Sequence, residues 1–368
     1  MALTIKKVTG AGKSTKTMAD FLGELQKDFG ESVGSFGGAL LQSDRIPTGI
    51  FPLDLALGGG FPRGKITIVF GPESSSKTNL ALLAVAQHQL LWPEKINVLI
   101  DMENGFDPGW AKKLGVNTDK LVVIKPSYGE QIVDMAESAL YTDDCGMVVI
   151  DSIAAIIGTA EAEASAERAQ VGGNSLLVGK LCRKIGLALG EMEKRGKSPT
   201  VVFINQIRSK VGIVYGNPET MPGGNAPKFS ASMILRVYGK NVMDTKVSST
   251  MPVAKEVKFV VNKWKCPVLS AEGMFTMATQ PYKGFKVGQC DDFNTISEYL
   301  KAFGKFAKDP KKGWVILDEH YDTIQPFKDR LYADPAFGNA VRQQIVAKML
   351  QAGQMLEENV GEEEHVDG

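Results

Sequence analysis

Histidine and cysteine are scarce in this 368-residue chain, which has three of the first and four of the second. The cysteines (Cys145, Cys182, Cys266, Cys290) lie far apart and form no C-x-x-C pair. That spacing excludes the usual zinc frameworks and a disulfide-stapled fold, and leaves reduced thiols as the expectation. A continuous apolar run of about 18 residues is also missing, as is a secretory leader. The expectation is therefore a cytoplasmic protein with no membrane partner. Net charge is absent too: 42 Lys and Arg balance 42 Asp and Glu. Taken whole, that balance argues against a nucleic-acid partner, but it is unevenly spread. Residues 357–368, EENVGEEEHVDG, hold six acids and no Lys or Arg, so residues 1–356 carry 42 − 36 = +6. Such an end is either a solvated tail or a mobile acidic arm competing with DNA for a basic surface, and charge alone does not separate the two.

What is present is ordinary for a globular chain, 43% apolar and 23% charged, with length enough for two or three domains. Residues 1–16 are rich in Lys, Thr and Gly. Phe21, Leu22, Leu25 and Phe29 then recur at helical spacing, which predicts a short amphipathic helix over 17–29. A Gly/Ser-rich linker follows. From about residue 46 short apolar runs alternate with helical patterns: ITIVF (66–70), NVLID (97–101), LVVIK (121–125), MVVID (147–151) and TVVFI (200–204). Runs that are apolar throughout mark strands buried on both faces of a mostly parallel α/β sheet. Residues 77–92 form the first crossover helix, and 232–238 and 256–262 read as further, antiparallel edge strands. Beyond about 286 the pattern turns helical and mixed. The division expected is an arm (1–45), a core (46–285), a small α+β C-terminal domain (286–356) and the acidic tail (357–368).

Two stretches compete as a phosphate-binding loop. GPESSSKT (71–78) has Gly71, Lys77 and Thr78 of G-x-x-x-x-G-K-[ST], with Ser76 in place of the second glycine. TGAGKST (9–15) has an intact GKS, but Lys7 stands where its first glycine belongs and no credible strand precedes it. A phosphate loop must leave a strand and open a helix, so that phosphates sit on orphan helical N–H groups. Only GPESSSKT meets that condition. It makes Gly71, Pro72, Glu73, Ser74, Ser75, Ser76, Lys77, Thr78 and Asn79 the candidate nucleotide contacts, with Thr78 as a Mg²⁺ ligand. Asp151, ending an apolar strand where open α/β sheets bind ligands, is the carboxylate that would complete the metal site. Glu103, past the neighbouring strand, is either a general base or a helix N-terminal acid. Asn205 and Gln206 leave another strand end, as a γ-phosphate-sensing amide or as turn formers.

After Gln206 comes a long segment rich in Gly and Pro, IRSKVGIVYGNPETMPGGNAPKF. Loops of that length are usually functional or disordered. Cations (Arg208, Lys210, Lys228) mixed with Val211, Ile213 and Tyr215 suit a single-strand-binding loop, where charge meets phosphate and apolar groups meet bases. Residues 158–174, GTAEAEASAERAQVGGN, read as a flexible crossover or a polar helix.

Together these stretches resemble the RecA family of homologous-recombination ATPases. The resemblance rests on IPTGIFPLDLALGGGFPRGKI, GPESSSKT, LIDMENGFDPGWAKKLGV, VVIDSIAA, FINQIRSKVG and YGNPETMPGGNAPKF, in order, over most of residues 17–265. The C-terminal FGKFAKDPKKGW, and the missing second loop glycine, are similar to phage-encoded UvsX-like members. The resemblance implies a RecA-type P-loop ATPase core that uses ATP and Mg²⁺ to form a filament with copies of itself on single-stranded DNA. That filament pairs with homologous duplex DNA, and single-strand-binding and loading proteins are further implied partners. By position it implies catalytic roles for Lys77, Glu103 and Gln206, and adenine contacts by Asp107 and Trp110. The loops at 158–174 and 207–226 match the family's two DNA-binding loops. DNA contacts fall to Arg208, Ser209, Lys210, Val211, Tyr215, Gly223 and Gly224 in the second, and to Arg183 on the helix after the first. The helix at 17–29 and Phe229 match positions that touch a neighbouring protomer. Lys263 matches a lysine that reaches the neighbour's ATP. The chain departs from the family pattern at Ser76, at Leu176 in place of an arginine, and at Val261 in place of a lysine for which Lys265 is the candidate substitute.

Overall fold

The computed structural model describes residues 27, 44–159, 173–209, 219–266, 268–310, 313–334 and 336–349. For Gly173, Arg208, Ser209, Glu219 and Thr220 it describes the backbone alone. The expected helix at 17–29 (Lys27 apart), most of the loop at 158–174, Lys210, Val211, Tyr215 and the acidic tail lie outside the described residues.

Among the described residues eight strands form the central sheet: β1 (Ile66–Gly71), β2 (Ile96–Asp101), β3 (Leu121–Ile124), β4 (Cys145–Asp151), β5 (Thr200–Gln206), β6 (Met233–Val242), β7 (Ala254–Trp264) and β8 (Glu272–Ala278). Their order across the sheet is β8-β7-β6-β1-β5-β4-β2-β3. All pairs from β6 to β3 are parallel, and β7 and β8 add antiparallel strands at one edge. The five apolar runs are thus strands, but the expectation of burial on both faces fails for β3, which is the edge strand of the sheet with Val122 48% exposed. The run at 232–238 corrects the expectation of an antiparallel edge: it is interior, parallel to β1 on one side and antiparallel to β7 on the other. The burial of Met233, Ile234, Leu235 and Val237 reports covered faces, which an apolar run signals, whereas the direction of pairing is set by the strands on either side.

Alternation within each parallel strand sorts the side chains into two apolar layers. Val69, Leu99, Met147, Val149, Val202, Ile204 and Leu235 enter one core. Ile66, Ile68, Val98, Ile100, Val148, Ile150, Val201 and Phe203 enter the other. Helix α1 (Lys77–Leu91) covers the first layer and is buried almost all round, from Leu80 to Ala86. Between β2 and β3 lies the short α2 (Pro108–Lys113). Helices α3 (Gly129–Leu140) and α4 (Gly173–Lys194) cover the second layer. In α4 the buried positions Val178, Leu181, Cys182, Ile185, Ala188, Leu189 and Met192 recur at the three-and-four spacing of one helical face.

A third cluster is built by α5 (Phe293–Ala302), α6 (Gln325–Ala333), the helix at 336–349 and a small antiparallel sheet of Phe306–Asp309, Gly313–Ile316 and Glu319–Tyr321. Asp292, 3% exposed, carries much of its polar tethering. Arg342 donates to it from Nε at 2.7 Å and Nη2 at 3.1 Å, and the Tyr332 hydroxyl donates to both Asp291 and Asp292. A buried carboxylate paired in this bidentate way is strongly disfavoured once either partner is removed.

His88, in the last turn of α1, packs on Gly146 at the start of β4, where a Cβ would come within 2.2 Å of its ring. The ring lies 4.8 Å from that of Trp92. Burial, with Arg63 as a second cause, lowers the His88 pKa to about 4. Because the folded value lies below the unfolded one, the contribution is complete above about pH 6.5 and is lost as pH falls through about 4. The unfolding free energy should drop by about 3 kcal/mol more across that window in the wild type than in His88→Gln. Urea denaturation of both proteins at pH 7, 5.5 and 4 checks this; parallel pH curves for the two would refute it.

Candidate nucleotide site

The carboxyl-terminal ends of β1, β2, β4 and β5 lie side by side, with Gly71 opposite Gln206 and Asp101 opposite Asp151. Each strand delivers one polar group to the same edge, where open α/β sheets bind ligands. The phosphate loop connects β1 directly to α1. Gly71 has no substitute here, since a Cβ would stand 2.1 Å from the carbonyl oxygen of Val237 on β6. Ser74 and Ser76 both adopt left-handed backbone, with φ of 57° and 73°. Alternating hands turn successive N–H groups toward one side, the geometry of an anion nest. Ser76 is the N-cap of α1 but makes no side-chain capping bond, so the first-turn N–H groups stay available to an anion.

Lys77 is buried, and its ammonium donates to the Pro72 carbonyl at 2.6 Å, which folds it back over the loop. Burial lowers its pKa from the usual lysine value, opposed by the charges of Asp151, Glu103 and Glu73. The Thr78 hydroxyl donates to Asp151 at 2.6 Å. Burial raises Asp151 to about pKa 6 against that hydrogen bond, and the neighbouring charges of Glu103 and Asp101 add to the rise. Concentrated negative charge next to a hydroxyl suits a divalent cation. Among the described residues no group of three or more His, Cys, Asp or Glu side chains forms a metal site on its own. The donor set therefore fits an ion whose remaining ligands are phosphate oxygens and water. Ser76 adds a second sign of fit, because its hydroxyl is buried in the cradle without a hydrogen-bond partner.

Glu103 joins two strand ends. Its Oε1 accepts from the Ser152 hydroxyl at 2.6 Å and from the Gln206 amide at 2.9 Å. It is not part of a helix N-terminus, since α2 begins five residues later. Asp107 is the residue that caps α2, accepting from the N–H groups of Gly109 and Trp110 at 2.6 and 3.0 Å. Trp110 donates from its ring N–H to Asn79 on α1 at 2.9 Å, so Asp107, Trp110 and Asn79 lie together beside the loop. Asn205 points elsewhere and donates to the Pro222 carbonyl.

The expected DNA-contacting residues gather less completely. Arg208 and Ser209 pair with Glu219 and Thr220 in a two-strand ladder, and Ala226–Ser230 is a short helix. Both ends of the segment expected as structureless are therefore ordered. Gly223 and Gly224 are left-handed, at φ of 93° and 75°, and lie against Val178 and Ser175 of α4. Arg183, on the same helix, is exposed and reaches back over Gly179. Leu176 there is 77% exposed. Lys263 stands apart from the phosphate loop: its ammonium donates to the carbonyls of Lys228 and Phe229, and Lys265 also donates to Phe229. Phe229 is 74% exposed.

Sequence reasoning missed four residues at this edge. Asp101 accepts from the N–H groups of Gly105 and Phe106 and so shapes the loop carrying Glu103 and Asp107. Ser152 fixes Glu103, and its position directly after Asp151 was the available signal. Lys255 and Gly239 touch the phosphate loop from β7 and β6. Only strand register brings them there, and no local pattern announced them.

Strand, left-handed loop, helix and the adjoining carboxylates define a phosphate-loop α/β protein with a candidate nucleotide site. A family model described as the RecA N-terminal domain matches residues 16–279. "Protein RecA" of Leptospira biflexa is 41% identical over 249 residues, 67% of this chain and 62% of that relative. Its counterpart in Thermus aquaticus is 40% identical over 261 residues, 70% of this chain and 74% of the relative. A third, from Lactococcus lactis subsp. cremoris strain MG1363, is 42% identical over 243 residues, 65% and 61% of the two chains. This chain thus spans about three-fifths of the length of two of these three. The chain belongs to the RecA family, and its fold is of the RecA type.

Left-handed backbone at a residue with a side chain costs about 1–3 kcal/mol, and the buried, unpartnered Ser76 hydroxyl adds to that. Glycine would relieve both but lose about 0.5–1 kcal/mol to unfolded-state freedom. Ser76→Gly should therefore stabilise the nucleotide-free protein by about 1 kcal/mol, as read by urea denaturation. A loss of stability in that variant would contradict the strain.

Proposed function

We propose that this chain is an ATP-dependent DNA strand-exchange recombinase with DNA-stimulated ATPase activity. It assembles as a filament of its own copies on single-stranded DNA and pairs that strand with homologous duplex. The observation that carries the reading is the bond between Glu103 and Gln206, beside a phosphate loop and at the head of the loop segment after β5. It links the group that would activate water to the segment that would hold DNA.

In this reading the loop N–H groups and Lys77 hold the β- and γ-phosphates. Thr78 and Asp151, the latter through water, hold Mg²⁺, which when bound neutralises phosphate charge. Asp107 and Trp110 receive the adenine. Glu103 takes the proton of the attacking water, and Ser152 keeps its carboxylate aimed. Gln206 donates to Glu103 when the γ-phosphate is gone and to phosphate oxygen when it is present. As the last residue of β5, it passes that exchange of partners into residues 207–226. The DNA surface comprises that loop, the stretch at 158–174, and Arg183 with Gly223 and Gly224. Lys263 and Phe229 serve the neighbouring protomer, and the helix at 17–29 is its polymerisation arm. The chain divides at about residues 45, 285 and 356 into arm, core, C-terminal domain and tail. FGKFAKDPKKGW and Ser76 support a phage-encoded, UvsX-like member working in the cytoplasm of an infected bacterial cell, with single-strand-binding and loading proteins as partners.

The test is a pairing assay with a labelled single strand, homologous supercoiled duplex and Mg²⁺, with and without ATP. Homology-dependent joint molecules that need ATP are expected from the wild type, and none from Lys77→Ala, whose unfolding midpoint should stay close to the wild-type value. DNA coating without joint molecules, even with a single-strand-binding protein present, would replace this reading with that of a nucleotide-gated scaffold. Gln206→Ala should bind ATP within about threefold of wild type yet lose at least about tenfold of its DNA-stimulated turnover. Turnover still fully DNA-stimulated in that variant would remove Gln206 from the coupling.

A further inference from the structure

The phosphate loop is held from outside as well as within. Lys255, the second residue of β7, donates from its ammonium to the Ser74 carbonyl at 2.6 Å, across 181 positions of sequence. Ser74 is one of the two left-handed loop residues. Turning its N–H inward turns its carbonyl outward, and Lys255 meets that outward carbonyl. Its path depends on Gly239 of β6. A Cβ there would stand 2.9 Å from the Ser75 Cα, 3.0 Å from the Ser74 oxygen and 3.1 Å from the Lys255 side chain. Gly239 thus leaves the channel through which both the loop backbone and the lysine stem pass. The antiparallel register that sets Asn241 opposite Lys255 and Gly239 opposite Val257 builds this channel. The ammonium is half-buried and close enough to Lys77 that its charge opposes protonation there.

We propose that Lys255 is a positioning residue for the phosphate cradle. It fixes the left-handed turn at Ser74 so that the nest is formed before the nucleotide arrives, with Gly239 as the gap that lets it do so. Binding to a preformed nest does not have to order the loop. The added positive charge on the outer face favours the more highly charged nucleotide. This rests on the nucleotide-binding reading above. It extends that reading to a lysine that comes from the antiparallel extension of the sheet, outside the phosphate-loop pattern.

Fluorescence titration with a methylanthraniloyl derivative of ATP, and with that of ADP, in the presence of Mg²⁺ tests the proposal. Wild type, Lys255→Met, Lys255→Arg and Gly239→Ala would be compared, with the thermal midpoint of each nucleotide-free protein recorded. Lys255→Met keeps the stem and loses the donor, so it should weaken the ATP derivative about tenfold. It should weaken the ADP derivative less, and leave the nucleotide-free midpoint near that of wild type. Lys255→Arg should restore most of the affinity, and Gly239→Ala should lose affinity as Lys255→Met does. Wild-type affinity in Lys255→Met overturns the positioning role while leaving the nucleotide site standing. Failure of the wild type itself to bind either derivative overturns both. A midpoint lowered in Lys255→Met without an affinity change assigns the bond to stability alone and also overturns the proposal.

Discussion

Because β1, β5, β4 and β2 are buried on both faces, their side chains have to alternate between two apolar layers. A slip of one residue would send Val69 or Val149 into the wrong layer. The same register that satisfies the two cores brings Gly71 beside Gln206 and Asp101 beside Asp151. The polar edge is therefore a by-product of apolar packing. No long-range polar contact has to find it, and the carboxylates and amides at these strand ends, Asp101 and Asn205 buried among them, are held by hydrogen bonds to the adjoining loops. Glu103, Ser152 and Gln206 can then meet within hydrogen-bonding distance although they come from three strands.

At that edge the backbone does work that side chains elsewhere would do. Two left-handed residues within three positions bend the chain so that N–H groups converge, and the sequence uses serine where glycine would be unstrained. The buried Ser76 hydroxyl lacks a hydrogen-bond partner, and burial raises the Asp151 pKa although Thr78 donates to it. Strain and unsatisfied polarity of this kind accumulate where a ligand supplies what is missing. Neighbouring strands bear on this loop from outside, with Val237 against Gly71 and Lys255 donating to the Ser74 carbonyl.

Much of this was legible in the chain itself. The parallel strands announced themselves as apolar runs because burial on both faces leaves few polar positions, Thr67 and Asn97 being among the exceptions, and the run of β3 does so although that strand is at the sheet's edge. The phosphate loop was distinguished from its N-terminal imitation by what precedes and follows it, a strand and a helix. Strand 232–238 was misjudged as an antiparallel edge, since a run's composition reports burial but not the direction of its neighbours. Glu103 remained open between base and cap until the structure gave the capping role to Asp107. Lys255 and Gly239 were invisible for a different reason. A lysine near the start of an amphipathic strand looks like any solvated lysine, and only the register with β6 reveals what it overhangs.

The two ends of β7 also set a constraint on assembly. Lys255, at one end, clasps the phosphate loop of its own chain, whereas Lys263 lies eight residues on, about 27 Å along an extended strand, bonded to Lys228 and Phe229. A single chain cannot bring both lysines to one nucleotide. Two chains can, provided the end of β7 bearing Lys263 and the exposed Phe229 meets the end bearing the phosphate loop of the next. Such a contact joins unlike surfaces, and repeating it produces a ring or a helix, not a closed symmetric pair. If, as proposed, Lys263 serves the neighbouring protomer's nucleotide, the placement of two lysines on one strand suits an open or cyclic polymer and not a twofold dimer. In that arrangement Val261 lies buried in the sheet, where a lysine would be hard to accommodate. In the proposed assembly the neighbour-facing charge would come from the far end of the strand, at Lys263 and Lys265.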